Sequence, residues 1–268
     1  MSDTPPIMQP DDTPDETSGA THDIPADEAF VVAIIAEDAE TTTIVIEPAS
    51  AQRLKAFQPG QFATLRILDD DGWSVPHPFT LSGAPHQGVR LTVRHRGHFT
   101  SQGIPRLRPG DAIKCAGPYG VFCRDIAAKE DIVLIAGGMG ITPFLSVLRH
   151  FARTGADNRI TLFWANRNFA GAFAADELAG LTRALNLRVV HVLSRETNPD
   201  LNSDPAFPAV AFEKGHIDSD VVQRHVPHAA TASFYLCAPA EMRRAVLAEL
   251  QACGVDMSCV ESEDYTFA

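Results

Sequence analysis

One stretch constrains this chain more than any other: Ile132-Val-Leu-Ile-Ala-Gly137-Gly138-Met-Gly140-Ile-Thr142-Pro143. Its apolar, β-branched start suits a strand buried on both faces, as in parallel sheets covered by helices. The glycines allow a tight turn. Thr142 suits a helix cap, and Pro143 suits the first helical position, where a missing N–H costs nothing. Phe144, Leu145, Leu148 and Phe151 then share one helix face. A helix start also offers unpaired N–H groups and a positive dipole end to a pyrophosphate, and glycines let the backbone approach it closely. Glycines serve tight packing equally well, so the turn alone does not identify a ligand. The uncharged run from Ile132 to Leu148 is shorter than the ~20 residues of a membrane helix and holds three glycines and a proline.

The same grammar continues to the C-terminus. Ile160–Ala165, Leu187–Ser194, Ser233–Cys237 and Ser258–Ser262 read as further buried strands, and a second helix carries Met242, Val246, Leu247 and Leu250. Alternating strands and helices predict a doubly wound α/β parallel sheet, placed at residues 127–268, with ligands at the carboxyl ends of its strands. Residues 30–126 read differently. Phe30–Ala36, Thr43–Glu47, Phe62–Leu68, Phe79–Ser82, Val89–His95 and Ala112–Cys115 are short β-type runs broken by Pro59-Gly60, Asp71-Gly72 and Pro109-Gly110. Six such runs predict an antiparallel six-stranded β-barrel. Residues 1–29 are Pro, Asp, Thr and Ser with little to bury, and are expected to form a disordered acidic tail that either solubilises the chain or docks a basic partner.

Charge follows the same division. Of 34 acids, twelve lie in residues 1–52, which hold no Lys or Arg, leaving 22 acids against 22 bases in the remainder. The body is neutral and has no basic stripe, which excludes nucleic acid as an expected partner. The acidic start has neither the basic end nor the apolar segment of a signal peptide, so a cytoplasmic location is expected. The five cysteines contain no C-x2-C pair, and His95 and His98 lack an accompanying acid, so no metal site is expected.

Further motifs follow in order: His77-Pro78-Phe79-Thr80-Leu81-Ser82; Val93-Arg94-His95-Arg96-Gly97-His98-Phe99-Thr100; Arg108-Pro109-Gly110-Asp111; Gly117-Pro118-Tyr119-Gly120; Tyr235-Leu236-Cys237-Ala238-Pro239; and Glu263-Asp264-Tyr265-Thr266-Phe267. Together with the glycine turn, this series resembles the ferredoxin–NADP reductase superfamily of two-domain flavoproteins over about Phe30 to Ala268. The His-Pro-Phe-Thr form most resembles the branch of ferric reductase and NADPH oxidase dehydrogenase domains.

The resemblance implies a role for each motif. His77, Pro78, Phe79 and Thr80 would line a flavin, with the Thr80 hydroxyl near N5. Arg94 would pair with the flavin phosphates, and Gly97 and Thr100 would hold the pyrophosphate through backbone N–H groups. Gly137, Gly138, Gly140 and Thr142 would hold the pyrophosphate of the nicotinamide nucleotide. Cys237 and Pro239 would lie near the nicotinamide, and Glu263, Tyr265 and Phe267 near the flavin edge. The catalytic candidates are therefore Thr80, Cys237, Glu263 and Tyr265. Ser194-Arg195, with Arg167 on the neighbouring strand end, suits the 2′-phosphate of NADPH, whereas an acid there would favour NADH.

These implications describe an FAD-dependent NAD(P)H oxidoreductase that passes hydride from NADPH to flavin and then single electrons to a haem, iron–sulfur or ferric acceptor. Two other readings stand beside it: a non-catalytic flavin-binding electron-transfer or sensor subunit, and the cytosolic partner of a membrane haem protein. Many superfamily members carry Arg where His77 stands; its absence leaves phosphate binding more dependent on Arg94, with FAD favoured over FMN. Ala238 replaces the usual Gly between Cys237 and Pro239, adding a methyl group beside the nicotinamide path. No C-x4-C-x2-C segment is present, so the sequence is not that of a fused oxygenase–reductase chain.

Overall fold

The computed structural model describes residues 26–50, 52–70, 72–198 and 204–264. Its first unit contains β1 (Asp27–Ala36), β2 (Thr41–Pro48), a short helix α1 (Gln52–Lys55), β3 (Phe62–Asp69), β4 (Gly72–Trp73), β5 (His77–Thr80), β6 (Val89–Arg94) and β7 (Ala112–Tyr119). The sheet runs β4-β3-β7-β1-β2-β6, antiparallel throughout, with β5 also paired to β3. A bridge between Leu81 and Leu91 joins the end of β5 to β6 and closes six strands into a ring. Alternation fills that ring: Ile44 and Ile46, Ala63, Leu65 and Ile67, and Leu91 and Val93 are buried together in its core. All six expected strands form, and the two-residue β4 is added to them.

β1 starts at Asp27, inside the segment read from sequence as tail. Asp27 to Phe30 pair with Cys115 to Ala112, and Ala29 is fully buried. The ladder and the Arg53–Asp27 ion pair supply what the low apolar content of that stretch does not. The rest of the expected tail, residues 1–25, lies outside the described residues.

The second unit contains β8 (Asp131–Gly137), α2 (Thr142–Thr154), β9 (Arg159–Asn166), α3 (Ala175–Leu181), β10 (Leu187–Leu193), β11 (Val210–Lys214), α4 (Ser219–His225), β12 (Ser233–Ala238), α5 (Ala240–Ala252) and β13 (Val260–Asp264). All six strands are parallel, in the order β11-β10-β9-β8-β12-β13. β8 shows how the faces divide. Ile132, Leu134 and Ala136 join one core with Phe144, Leu148, Phe151 and Trp164, while Val133 and Ile135 join another with Phe163, Phe234, Val246 and Leu250. Burial of each Val, Leu, Ile or Phe among them contributes about 1.5–3 kcal/mol. The chain leaves β8 for β9 on one side and later returns to β12 on the other, so the order reverses at β8, where crevices open in sheets of this kind.

β11 was not anticipated. It is a five-residue edge strand, Val-Ala-Phe-Glu-Lys, in which only Val210 is buried, and its apolar stretch is too short to mark a strand by itself. Between the two units, Phe122, Cys123 and Ile126 pack into the parallel-sheet core, with the Phe122 ring 5.9 Å from Phe144 and 6.3 Å from Tyr235.

Candidate functional site

The turn after β8 divides its three glycines between two jobs. A Cβ on Gly140 would stand 1.9 Å from the Cys237 carbonyl oxygen, and one on Gly137 would meet Met242 Sδ at 2.8 Å and Pro239 Cδ at 2.9 Å. Both are glycine because β12 and α5 press against the turn. Gly138 is different: its φ is +54, and a Cβ there would meet only Arg94 Nη1, at 3.8 Å. Trp164, fully buried on β9, donates its indole N–H to the Gly138 carbonyl at 2.9 Å and fixes the turn. Thr142 does not cap α2. A short helical turn over Gly138–Ile141 runs straight into the helix, and the buried Thr142 hydroxyl donates back to the Met139 carbonyl at 3.0 Å.

Arg94 ends β6 on the barrel and reaches this turn across the junction of the two units. Its Nε is buried and has no partner among the described residues. A buried guanidinium N–H without an acceptor is costly, and an anionic ligand bound to Arg94 would satisfy it. The donor set therefore fits a phosphate-bearing group.

On the barrel side, β5 carries His77, Pro78, Phe79 and Thr80, all half-buried. Phe62 of β3 stands between Thr80 and Tyr119 in register, with the Phe62 and Tyr119 rings 5.6 Å apart. His77 stacks on Phe99 with ring centroids 3.7 Å apart, and Phe79 lies 6.0 Å from Phe99 on a similar plane. Partial burial lowers the His77 pKa, favouring the neutral ring. Gly97 takes φ +80 with open space where a side chain would go. Phe99–Gly103 forms a wide helical turn; the Thr100 hydroxyl is engaged with the backbone of Arg96, accepting from its N–H at 2.7 Å and donating to its carbonyl. This leaves the turn's backbone as the part of Thr100 open to a ligand. The sequence reading missed the stacking role of Phe99, whose only signal was an aromatic residue directly after the Arg94-to-His98 motif.

Arg167, Ser194 and Arg195 lie exposed just past the carboxyl ends of β9 and β10, linked by the Arg195 N–H to the Arg167 carbonyl at 2.7 Å. The neighbouring Glu196 does not neutralise Arg195. Its carboxylate accepts from the backbone N–H groups of Phe169, Thr197 and Asn198, which hold its pKa below the usual carboxylate range. Beneath them, His191 is 1% exposed within a group of rings from Phe169, Phe212 and Trp164 at 5.1, 5.4 and 5.8 Å, and burial lowers its pKa to about 4.

At the last two strands, Cys237 is in register with Glu263. Cys237 is fully buried in the core on the α2 face, whereas Pro239 is exposed at the start of α5. Burial, then the neighbouring Glu261, raises the carboxyl pKa of Glu263. Glu261 accepts from the Cys123 N–H at 3.1 Å, tying β13 to the segment that joins the two units. The methyl of Ala238 is buried in the opposite core, 3.0 Å from where a Gly137 Cβ would lie. It therefore packs against the turn instead of projecting into a ligand path. Tyr265 and Phe267 lie outside the described residues. No helix among the described residues is long and apolar enough to cross a membrane.

Residues 134–248 match the model of the oxidoreductase NAD-binding domain family. The chain is 31% identical over 223 residues to the reductase component of propane 2-monooxygenase from Rhodococcus jostii (strain RHA1), covering 82% of this chain and 58% of that protein. It spans about half to two thirds of the length of the curated relatives it matches. Among solved structures, the flavohem-like FAD/NAD-binding domain of nitric oxide dioxygenase from Vibrio cholerae O1 biovar El Tor superposes with TM-score 0.77 at 21% identity, covering 89% of this chain and 98% of that one. A ferredoxin NADP+ reductase from Neisseria gonorrhoeae with bound FAD and NADP superposes with TM-score 0.71 at 17% identity, covering 89% and 98%.

Proposed function

We propose that this chain is an FAD-dependent NAD(P)H oxidoreductase of the ferredoxin–NADP reductase type that serves a separate redox partner; the match of residues 134–248 to the oxidoreductase NAD-binding domain family, the fold and the motif order support this reading. The observation that carries this reading is the junction of Arg94 and Gly138: Arg94 keeps a buried Nε without an acceptor among the described residues, while its Nη1 lies against Gly138, the one open glycine of the turn. Two phosphate-bearing cofactors meeting there would explain both.

Bound FAD would supply a centre that takes up two electrons together and releases them singly. The chain's own residues prepare its place. Phe79, with His77 stacked on Phe99, offers an apolar, aromatic wall, and Thr80 ends the strand in register with Phe62. Arg94 holds phosphate as a permanently charged planar donor, and Gly97 with the turn at Thr100 adds backbone N–H groups. On the other unit, Gly138 leaves space for the nucleotide pyrophosphate at the start of α2, while Gly137 and Gly140 keep that turn pressed on β12. Arg167, Ser194 and Arg195 favour NADPH, since Glu196 is occupied with backbone and leaves Arg195 to meet a 2′-phosphate. Glu263, its carboxyl pKa raised by burial, can retain a proton near the ends of β12 and β13. Cys237, being buried, acts through packing at the end of β12.

The reductase-component relatives support a redox protein as partner, and the reading takes it to be an oxygenase component or another haem or iron–sulfur protein, with ferric chelates as a small-molecule alternative. The Ala238 methyl, expected beside the nicotinamide path where it would hinder turnover, is buried and lends no support to the sensor-subunit reading. Binding tests the reading directly. Arg94→Met should weaken FAD binding at least about tenfold, the loss of a charge-assisted contact of roughly 1.5–3 kcal/mol, with thermal stability nearly unchanged. Equal FAD affinity in both proteins, followed by quenching of flavin fluorescence, would count against the assigned junction.

A further inference from the structure

We propose that Arg149, braced by Glu177 and seconded by Ser146, is a positioning residue that sets how closely the nucleotide unit approaches the flavin strand; the inference rests on the oxidoreductase reading above. Thr142, Ser146 and Arg149 recur at helical spacing on α2, so one polar stripe of the helix that begins at the glycine turn faces the barrel. The Ser146 hydroxyl, fully buried, donates to the Gly83 carbonyl at 2.8 Å, and Arg149 Nη1 donates to the Ser82 carbonyl at 2.6 Å. Ser82 and Gly83 follow Thr80 by two and three residues. The helix that opens at the nucleotide turn is thus bolted to the segment directly after the strand that carries the flavin motif.

Both ends of the bolt are held. The other donors of the guanidinium, Nε and Nη2, take Glu177 of α3 at 2.7 and 2.6 Å, so one side chain joins α2, α3 and the barrel. The Arg149 side chain is 16% exposed and Glu177 39%, which puts the carbonyl contact on the dry side and the brace at the rim. On the barrel side, the Ser82 hydroxyl bonds that of Thr92 at 2.9 Å, and Thr92 bonds Thr43 at 2.8 Å, so the loop is anchored through β6 to β2 by buried hydroxyls. A lysine has no planar fork with which to hold a carbonyl and a carboxylate at once. Transfer between two bound rings needs them near contact, and a displacement of about 1 Å costs on the order of a hundredfold in rate. Arg149 touches neither the glycine turn nor β5 itself, so its effect is on placement.

The test compares FAD-loaded wild type with Arg149→Met, Arg149→Lys and the milder Glu177→Gln and Ser146→Ala. The limiting rate of flavin reduction at saturating NADPH is measured beside the nucleotide Kd. Deuterium uptake by backbone amides is followed in the cofactor-free chains. Arg149→Met should lower the limiting rate at least about tenfold, leave Kd within about twofold and raise uptake in residues 82–88, with Arg149→Lys only partly restoring the rate. Glu177→Gln and Ser146→Ala should fall between, and they carry the test if Arg149→Met does not fold. An unchanged limiting rate in these variants while wild type is reduced normally overturns the role of Arg149 alone. Wild-type flavin that neither NADPH nor NADH reduces overturns the oxidoreductase reading and this role with it.

Discussion

Placing an alanine at each of two glycines in the turn after β8 should separate packing from ligand contact. In Gly140→Ala the new Cβ would lie 1.9 Å from the Cys237 carbonyl oxygen and 2.7 Å from its carbon, so turn and strand must part by about 1.5 Å to reach ordinary contact at 3.4 Å. Overpacking against side chains costs about 1–3 kcal/mol. Here both obstacles are backbone in the middle of a parallel sheet, so the loss should exceed about 3 kcal/mol, a fall in Tm of roughly 6–12 °C for a chain of this size. In Gly138→Ala the nearest atom is Arg94 Nη1 at 3.8 Å, and the cost is the left-handed φ of +54, about 1 kcal/mol or 2–4 °C. Binding should rank the other way. Among folded molecules, Gly138→Ala should weaken NADP+ and FAD binding, because its methyl stands between Arg94 and the turn. Thermal melts and titrations on both variants read the two effects. Equal melting temperatures, or unchanged nucleotide and flavin affinity in Gly138→Ala, would refute the division of labour among these glycines.

Three further outcomes follow from the same structure. His191 is neutral in the folded chain, with a pKa lowered to about 4 from 6.5, so its contribution is present above pH 6.5 and lost as pH falls toward 4, reaching about 3 kcal/mol in urea denaturation; His191→Phe should flatten that slope, and parallel pH profiles would contradict the assignment. Glu263 has a raised carboxyl pKa, so its favourable protonated state is fully present below the ordinary value of 4.5 and lost as pH rises through the folded value. Glu263→Gln should therefore melt higher than wild type at neutral pH and equal to it below about 4.5, and a variant that melts lower at neutral pH would show that the carboxylate is stabilising. Replacing Arg167 and Arg195 together by alanine should weaken NADP+ by about tenfold or more while leaving NAD+ nearly unaffected; equal losses for both nucleotides in calorimetric titrations would remove the 2′-phosphate role.

How far the sequence discloses this molecule depends on the distance over which each feature is decided. The six barrel strands and the strands from β8 to β10 were legible because alternation or continuous apolarity is local, and Phe144, Leu145, Leu148 and Phe151 are all buried on the face that their spacing indicated. β11 escaped because its apolar part is only Val210, Ala211 and Phe212, too short a local signal for a strand. The start of β1 escaped because Asp27 to Phe30 are ordered by β7, more than eighty residues away. Within the site, the glycines of the turn were visible, but not their division: only the fold reveals that Gly140 faces the end of β12. The bond from Ser146 to Gly83 joins residues 63 apart, and the one from Arg149 to Ser82 joins residues 67 apart. Ser82 closes the motif that begins at His77, but Gly83, Ser146 and Arg149 belong to no motif. Thr142 shows the opposite failure, a sound local capping signal overridden because a preceding helical turn satisfies that end of α2.

The central claim is that this chain takes electrons from a nicotinamide nucleotide into a bound flavin. The most direct test is the absorbance spectrum of the purified, FAD-loaded protein before and after anaerobic addition of NADPH, and separately NADH. Flavin bands that bleach with both nucleotides, and faster with NADPH, are the predicted result. Bands that persist with either nucleotide would contradict the account.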